Sequence, residues 1–414
     1  MKEGCERSYD LASNKSVSTD EDDLPYTFKW LKSMYAGNDF ELDTDEEAEI
    51  IFHNIYYSYQ SLHEQTCSLE FVPIRSNISS IYVKRSDDAN FSIIWNTSYW
   101  ELFSKFCNFL TIMNNEDIKN IASTFGVTDA NIFETLFSDI YLYLAEKHKR
   151  SDSILSNRCR ENADKHKKKS TSIVVWNDKR ADDIVFLGKM FAMHHEFEHI
   201  LFELAGEAEY NAYNTEYFIA LLKNYRDICD QEYSADEKIH DYTKNEYLER
   251  LDKLIMGNDS WEGVREELFC DWGAFAQMVN LQQIAYRLDP ANAMCNAVVA
   301  AKIYNMFRTW LYIAEYYAEE SSSYYEKCVP LEDSMRLIYN GFHKKADEIE
   351  FRQVLSHRLI LFHLQCNYEN ASVFSEQEWR SIVEGANPYV ENYQKYIVPM
   401  NRILEQECLN TNSK

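Results

Sequence analysis

Met193-His194-His195-Glu196-Phe197-Glu198-His199 gathers three of the chain's eleven histidines within six positions. Its flanks, Ile184 to Met193 upstream and Ile200-Leu201-Phe202 downstream, are apolar, so the segment reads as a buried helix. On such a helix His195 and His199 stand four apart on one face, about 6 Å from each other, and both imidazoles can reach a single metal ion. Glu196, beside them, is placed to take a proton from water that the ion activates. Burial gives the reason to expect a cation, because two histidines and two glutamates kept dry and unpaired are costly. The competing reading is a surface helix with a His/Glu stripe paired in i, i+4 fashion, and the apolar flanks speak against it.

A metal site of this kind needs a third protein ligand. Glycine and histidine three and six residues after His199 would supply one pattern, but those positions hold Phe202 and Ala205. An acid about twenty residues on would supply another, and that position is Ile219, with Glu216 the nearest acid. Two later segments have the form Glu-x-x-x-Asp: Glu232 to Asp236 and Glu267 to Asp271. In such a pair the glutamate binds metal and the aspartate, one helical turn on, accepts the N–H of a ligating imidazole. Leu268, Phe269, Cys270, Trp272, Ala274 and Phe275 surround the second pair, whereas the first lies among Asp227, Asp230, Gln231, Glu237 and Lys238. Burial therefore favours Glu267 with Asp271 and leaves Glu232 as the alternative third ligand.

His195-Glu196-x-x-His199 followed by Glu267-x-x-x-Asp271 resembles the gluzincin group of zinc metallopeptidases, over two helices and about thirty of the 414 residues. Ala89 to Asn96, with the Tyr99 to Phe109 stretch after it, is similar to the sheet-edge strand and supporting helix of the soluble intracellular members. The resemblance implies one Zn2+ per chain on His195, His199 and Glu267, with Glu196 as general base and Asp271 behind the metal ligands. It also implies hydrolysis of peptide bonds without a covalent intermediate. The string His195-Glu196-Phe197-Glu198-His199 equally satisfies the inverted order His-x-x-Glu-His, in which Glu198 would be the base; the forward order is the commoner. His194 lies about 100° round the helix and reads as a histidine behind the ligands or facing substrate. A group that stabilises the developing oxyanion is expected from a later helix, with His343, Arg352, His357 and Arg358 as the charged choices.

A formal net charge of −26 argues against general nucleic-acid binding and against anionic membranes, and would steer basic peptides towards the site. The polar start, Met1 to Ser8, has no apolar leader, which points to a cytoplasmic protein. Ala291 to Tyr317 carries Asn292, Asn296, Lys302, Asn305, Arg308 and Glu315, and so reads as an amphipathic core helix rather than a membrane span. Ten cysteines without a Cys-x-x-Cys pair read as free thiols.

The fold class expected is α+β and predominantly helical, a zincin-like core with a small antiparallel sheet packed beside the active-site helix. Residues 1–25 read as a disordered acidic tail, and 26–147 as an α/β region with a helix at Glu46 to His63, strands at Leu69 to Ile74, Ile81 to Lys84 and Phe91 to Asn96, then helices. Residues 148–170, with the run Lys165 to Lys169, read as a basic polar surface loop. Residues 171–320 hold the metal ligands, opening on a strand at Ser172 to Trp176, with Glu207 to Asp259 as a lid or substrate-binding insertion; 321–414 is a helical region. The function expected is that of a zinc-dependent protease acting on an intracellular protein or peptide. The alternatives are a non-peptide amide hydrolase on the same site and a non-catalytic helical binding or scaffold protein.

Overall fold

A mixed sheet comes first among the described residues of the computed structural model, which are 40–63, 68–76, 82–87, 90–124, 126, 128–149, 153–170, 179–204, 209–234, 238–239, 242–257, 261–326, 351–366, 374–400 and 403–404. Its four strands, β1 (Phe40–Leu42), β2 (Ser68–Ser76), β3 (Tyr82–Asp87) and β4 (Asn90–Asn96), lie in the order β1-β2-β4-β3. The outer pairs are antiparallel, but β2 and β4 are parallel from Ser68↔Asn90 to Ile74↔Asn96. The sheet is therefore not the antiparallel one that the sequence suggests. Nor is β4 an edge: it is bonded on both sides, and β1 and β3 are the edges. The reason is legible afterwards, since Phe91, Ser92, Ile93, Ile94, Trp95 and Asn96 are all buried, as in a strand covered on both faces.

Helix α1 (Glu46–His63) sets Ala48, Ile51, Phe52, Ile55 and Tyr59 at helical spacing into the core. Asp45 caps it, accepting from the Ala48 amide at 3.1 Å, and also receives Trp95 Nε1 of β4 at 2.9 Å. Helix α2 (Thr97–Asn114) follows β4 directly, with Asn96 as its N-cap, and buries Trp100, Phe103, Phe106 and Leu110. Short α3 (Glu116–Thr124) leads to α4 (Asp129–His148), which starts on a reciprocal Thr128/Asn131 cap.

Where the sequence suggests a basic loop, residues 148–170, the structure has helix α5 (Ser153–Lys167) docked along α4. Leu155, Cys159, Ala163 and His166 form its buried stripe, and Ser156 and Ser138 each donate across the interface to a backbone carbonyl, at 2.7 and 3.1 Å. Part of the lysine run thus ends a helix, where cations favour the dipole.

Helix α6 (Lys179–Leu204) carries the histidines and is surrounded by α1, α2, α9 and α10, so its apolar residues point in every direction. Gly188 allows the contact with α2: a Cβ there would lie 2.5 Å from the Phe103 ring. Next come α7 (Glu209–Glu232), the ribbon β5 (Lys238–Ile239) and β6 (Tyr242–Thr243), and α8 (Lys244–Met256). Helices α9 (Glu262–Ile284) and α10 (Pro290–Glu326) follow, then α11 (residues 351–366), α12 (Glu376–Glu384), α13 (Asn387–Asn392) and a π-helical turn, Tyr393–Ile397. Among the described residues no helix is long and apolar enough to cross a membrane. The proposed tail 1–25, the strand at Ser172 to Trp176 and His343 lie outside the described residues.

Among the described residues two apolar cores result. The larger joins the sheet, α1, α2, α4, α6, α10 and the end of α9; the second joins α7, α8, the start of α9 and one face of α11. The stretch Glu207 to Asp259, read from sequence as a lid or insertion, contributes Phe218, Leu222, Tyr247 and Leu251 to the second core. Helix α9 passes from one core to the other, with Leu268 to Trp272 in the second and Ala274 to Leu281 in the first. Glu267 and Asp271 therefore stand at the seam.

Candidate metal centre

The packing of α6 against α9 brings together the residues that spacing alone suggests. His195 Nε2 and His199 Nε2 are 3.2 Å apart; Glu267 Oε2 is 3.3 Å from the first and Glu267 Oε1 3.6 Å from the second. One donor atom from each of His195, His199 and Glu267 lies within 4.8 Å of the others, a group that can hold a metal ion. Glu232 is exposed at the end of α7 and is not in this group, so of the two glutamates that the sequence offers it is Glu267 that meets the histidines.

Each imidazole is held from behind by a carboxylate. His195 Nδ1 is 3.0 Å from Asp271 Oδ1, and His199 Nδ1 is 2.9 Å from Glu266 Oε1. A proton on His199 Nδ1 satisfies Glu266, whereas His195 Nδ1 and Asp271 Oδ1 meet at ion-pair distance without the alignment of a hydrogen bond. Two imidazole nitrogens and a carboxylate converging at these distances are a donor set that can hold a metal ion. Asp271 is itself fixed by Asn305 Nδ2 of α10 at 3.2 Å, and Asn305 also donates to Ser356 Oγ of α11 at 3.1 Å.

Two arginines complete the cluster. Arg308 Nη2 donates to Glu267 Oε2 at 2.8 Å, and its Nη1 is 3.3 Å from His195 Nε2; Arg352 Nη2 reaches the same Oε2 at 2.6 Å. Burial would raise the Glu267 carboxyl, but Arg352, Arg308 and then His195 hold it well below the usual range, so it is ionised. Asp271 likewise is raised by burial and lowered more by Arg352, the contact with His195 and Arg308, to about 2. Burial and Arg308 push His195 down, and its contacts with Asp271 and Glu267 outweigh them and raise it.

The two glutamates between the histidines face different surroundings. Glu196 lines a small cleft with Tyr99, Tyr304, Arg308, Leu311, Tyr312 and Glu315. Glu198 is enclosed on the other side, accepting from Tyr59 Oη at 2.7 Å and lying against Gly273 of α9, where a Cβ would meet its Cδ at 2.5 Å. Burial pushes Glu198 up to about 7, against the Tyr59 hydrogen bond and His199. His194 is buried, among the described residues neither of its ring nitrogens is hydrogen-bonded, and burial takes it down to about 3, so it stays neutral.

Sequence reasoning missed Arg308, Glu266, Asn305 and Tyr59. Arg308 had a signal, a cation within the apolar run Ile303 to Ile313; the others stand out only once the helices are packed. Of the expected oxyanion groups, Arg352 is at the centre on Glu267, whereas Arg358 Nη1 donates to Tyr233 Oη at 3.4 Å and His357 is not in the ligand group. No protein-family model, curated protein or solved structure matches this chain.

Proposed function

We propose that this protein is a zinc-dependent hydrolase of peptide bonds, with a zincin-like core and a gluzincin-like ligand set, acting on an intracellular protein or peptide. The observation that carries the reading is the His195, His199, Glu267 group, with a carboxylate behind each imidazole. His195, His199 and Glu267 would hold the ion, and a bound zinc ion supplies Lewis acidity that polarises a carbonyl and acidifies water.

The chain's own residues supply the rest. Glu196 is the carboxylate that shares a cleft with Arg308, so it is the general base that takes the proton of the attacking water and returns it to the leaving amine. Glu198, sealed by Tyr59 and Gly273, does not share that cleft, which favours the forward order of the motif over the inverted one. Arg308 presents a guanidinium between the ligand group and the cleft, where it would stabilise the developing oxyanion. Asp271 and Glu266 fix the imidazoles, and Asn305 fixes Asp271. A second reading, hydrolysis of a small non-peptide amide, draws support from the narrow, tyrosine-lined shape of the cleft among the described residues.

Glu196→Gln tests the assignment. Cleavage of a casein or peptide-library substrate should fall by about 100-fold or more with metal content unchanged, and Glu198→Gln should retain more activity. Full activity in Glu196→Gln would remove Glu196 from the mechanism.

A further inference from the structure

The cleft that Glu196 shares with Arg308 is too small to hold a peptide. Its volume is about 30 Å³, where one water molecule needs about 10–15 Å³. A larger hollow lies next to it, a groove of about 370 Å³ between the β1–β2 edge of the sheet and helices α2 and α4. The walls of the two meet at two points. On α2, Ser98 lines the groove and Tyr99 the cleft; on α4, Glu146 lines the groove, and its neighbour Lys147 pairs at 2.8 Å with Glu315 of the cleft. Glu315 stands seven residues after Arg308 on α10, about 10 Å along the axis. About three residues of extended chain span that distance. A chain with its scissile carbonyl beside Arg308 therefore reaches the mouth of the groove within a few residues.

The lining of the groove selects what can lie there. Glu41, Glu101, Asp139 and Glu146 stand in its walls against two bases, Arg75 and Lys105. Both bases are engaged by acids: Arg75 is 2.5 Å from Glu101 and 3.0 Å from Asp43, and Lys105 is 3.0 Å from Asp139. Glu146 meets Arg160 and Lys149 in pairs that are open to solvent and therefore weak, so an incoming cation can replace them. Two large apolar side chains are left exposed along the route, Leu142 in the groove at 42% and Tyr312 in the cleft at 43%. They offer contact to the aliphatic stems of lysine and arginine, and the tyrosine ring also attracts a cation.

We propose that this groove binds a basic segment of the peptide substrate, with lysine or arginine beginning about three positions from the scissile bond. The proposed hydrolysis is the basis for this assignment, to which the groove adds the class of substrate.

Fluorescence anisotropy on the full chain tests the groove without catalysis, using a labelled alanine/glycine peptide of about twelve residues that carries lysines and its counterpart that carries glutamates. Wild type is expected to bind the lysine peptide at least about tenfold more tightly. That preference should fall at least about fivefold in Glu41→Gln/Glu146→Gln and be lost in Leu142→Arg, and should not move in Glu249→Gln/Glu376→Gln, which removes the same charge from exposed positions outside the groove. Equal binding of the two peptides overturns the proposal, and so does an equal loss in the two double variants, which reduces the effect to net charge. Cleavage sites in casein, mapped by mass spectrometry, separate this proposal from the hydrolysis itself. Lysine or arginine enriched about three or more positions from the cut is expected, with KM raised and kcat unchanged in Glu41→Gln/Glu146→Gln. Cleavage without that enrichment overturns the basic-segment assignment and leaves the hydrolysis standing. Lysine-peptide binding that depends on the groove, with no cleavage by wild type, overturns the hydrolysis and supports the groove as a site for basic peptide.

Discussion

Glu196 and Glu198 are two positions apart on one helix and meet opposite fates. Glu196 opens onto the cleft beside Arg308; Glu198 is locked between Tyr59 and the bare backbone of Gly273. The second environment can be tested by stability alone. Tyr59→Phe removes the hydroxyl that donates to a buried carboxyl and should cost about 1–3 kcal/mol. Gly273→Ala forces a methyl into the Glu198 carboxyl and should cost a similar ~1–3 kcal/mol by overpacking. Denaturant melts check both, and unchanged midpoints would mean that Glu198 is freer than the geometry shows. At this scale the sequence was informative for the ligands: an apolar context marks the helix of His195 and His199, and the apolar surroundings of Glu267 single it out from Glu232. Arg308, Glu266 and Tyr59 escaped because their importance lies in which helix they meet, and spacing along one helix does not carry that.

Local pattern was also enough for several elements. Helix α1 spans Glu46–His63 as its apolar spacing and acidic first turn suggest. Helix α5 was missed because charged residues outnumber its thin stripe of Leu155, Cys159, Ala163 and His166, and only docking on α4 makes that stripe a core face. The α10–α11 pair yields a prediction with a definite sign. Lys302 is depressed from 10.5 to about 8 in the folded chain, so between those values the unfolded state binds more protons and stability rises with pH. Below about pH 8 the buried ammonium destabilises the fold by up to about 3 kcal/mol, at 1.36 kcal/mol per pK unit. Lys302→Met should therefore be more stable than wild type at pH 7, and the gap should close by pH 10.5. A pH-independent difference between the two melts would contradict a Lys302 pKa shifted by burial.

For the whole molecule, strand alternation and helix periodicity announced a mostly helical chain with a small sheet, but not how the strands pair. The parallel β2–β4 contact joins strands separated by β3, and only the covering of both faces of β4 selects it. The charge of −26 acts at the same scale. If its field steers basic peptides to the cleft, raising salt from about 50 to 500 mM should lower kcat/KM on a basic substrate several-fold and leave an acidic one unchanged or faster. Equal salt responses for both would remove steering from the account.

The central claim is that the seam between the two cores holds a metal ion. Metal content by mass spectrometry, on protein purified without a metal-affinity tag, tests it directly in wild type and in His195→Ala, Glu232→Ala and Glu267→Ala. The account predicts about one zinc per chain in wild type and Glu232→Ala, and loss of zinc with His195 or Glu267. Wild type that takes up no zinc even after reconstitution would contradict it and leave the cluster a structural network of histidines, acids and arginines.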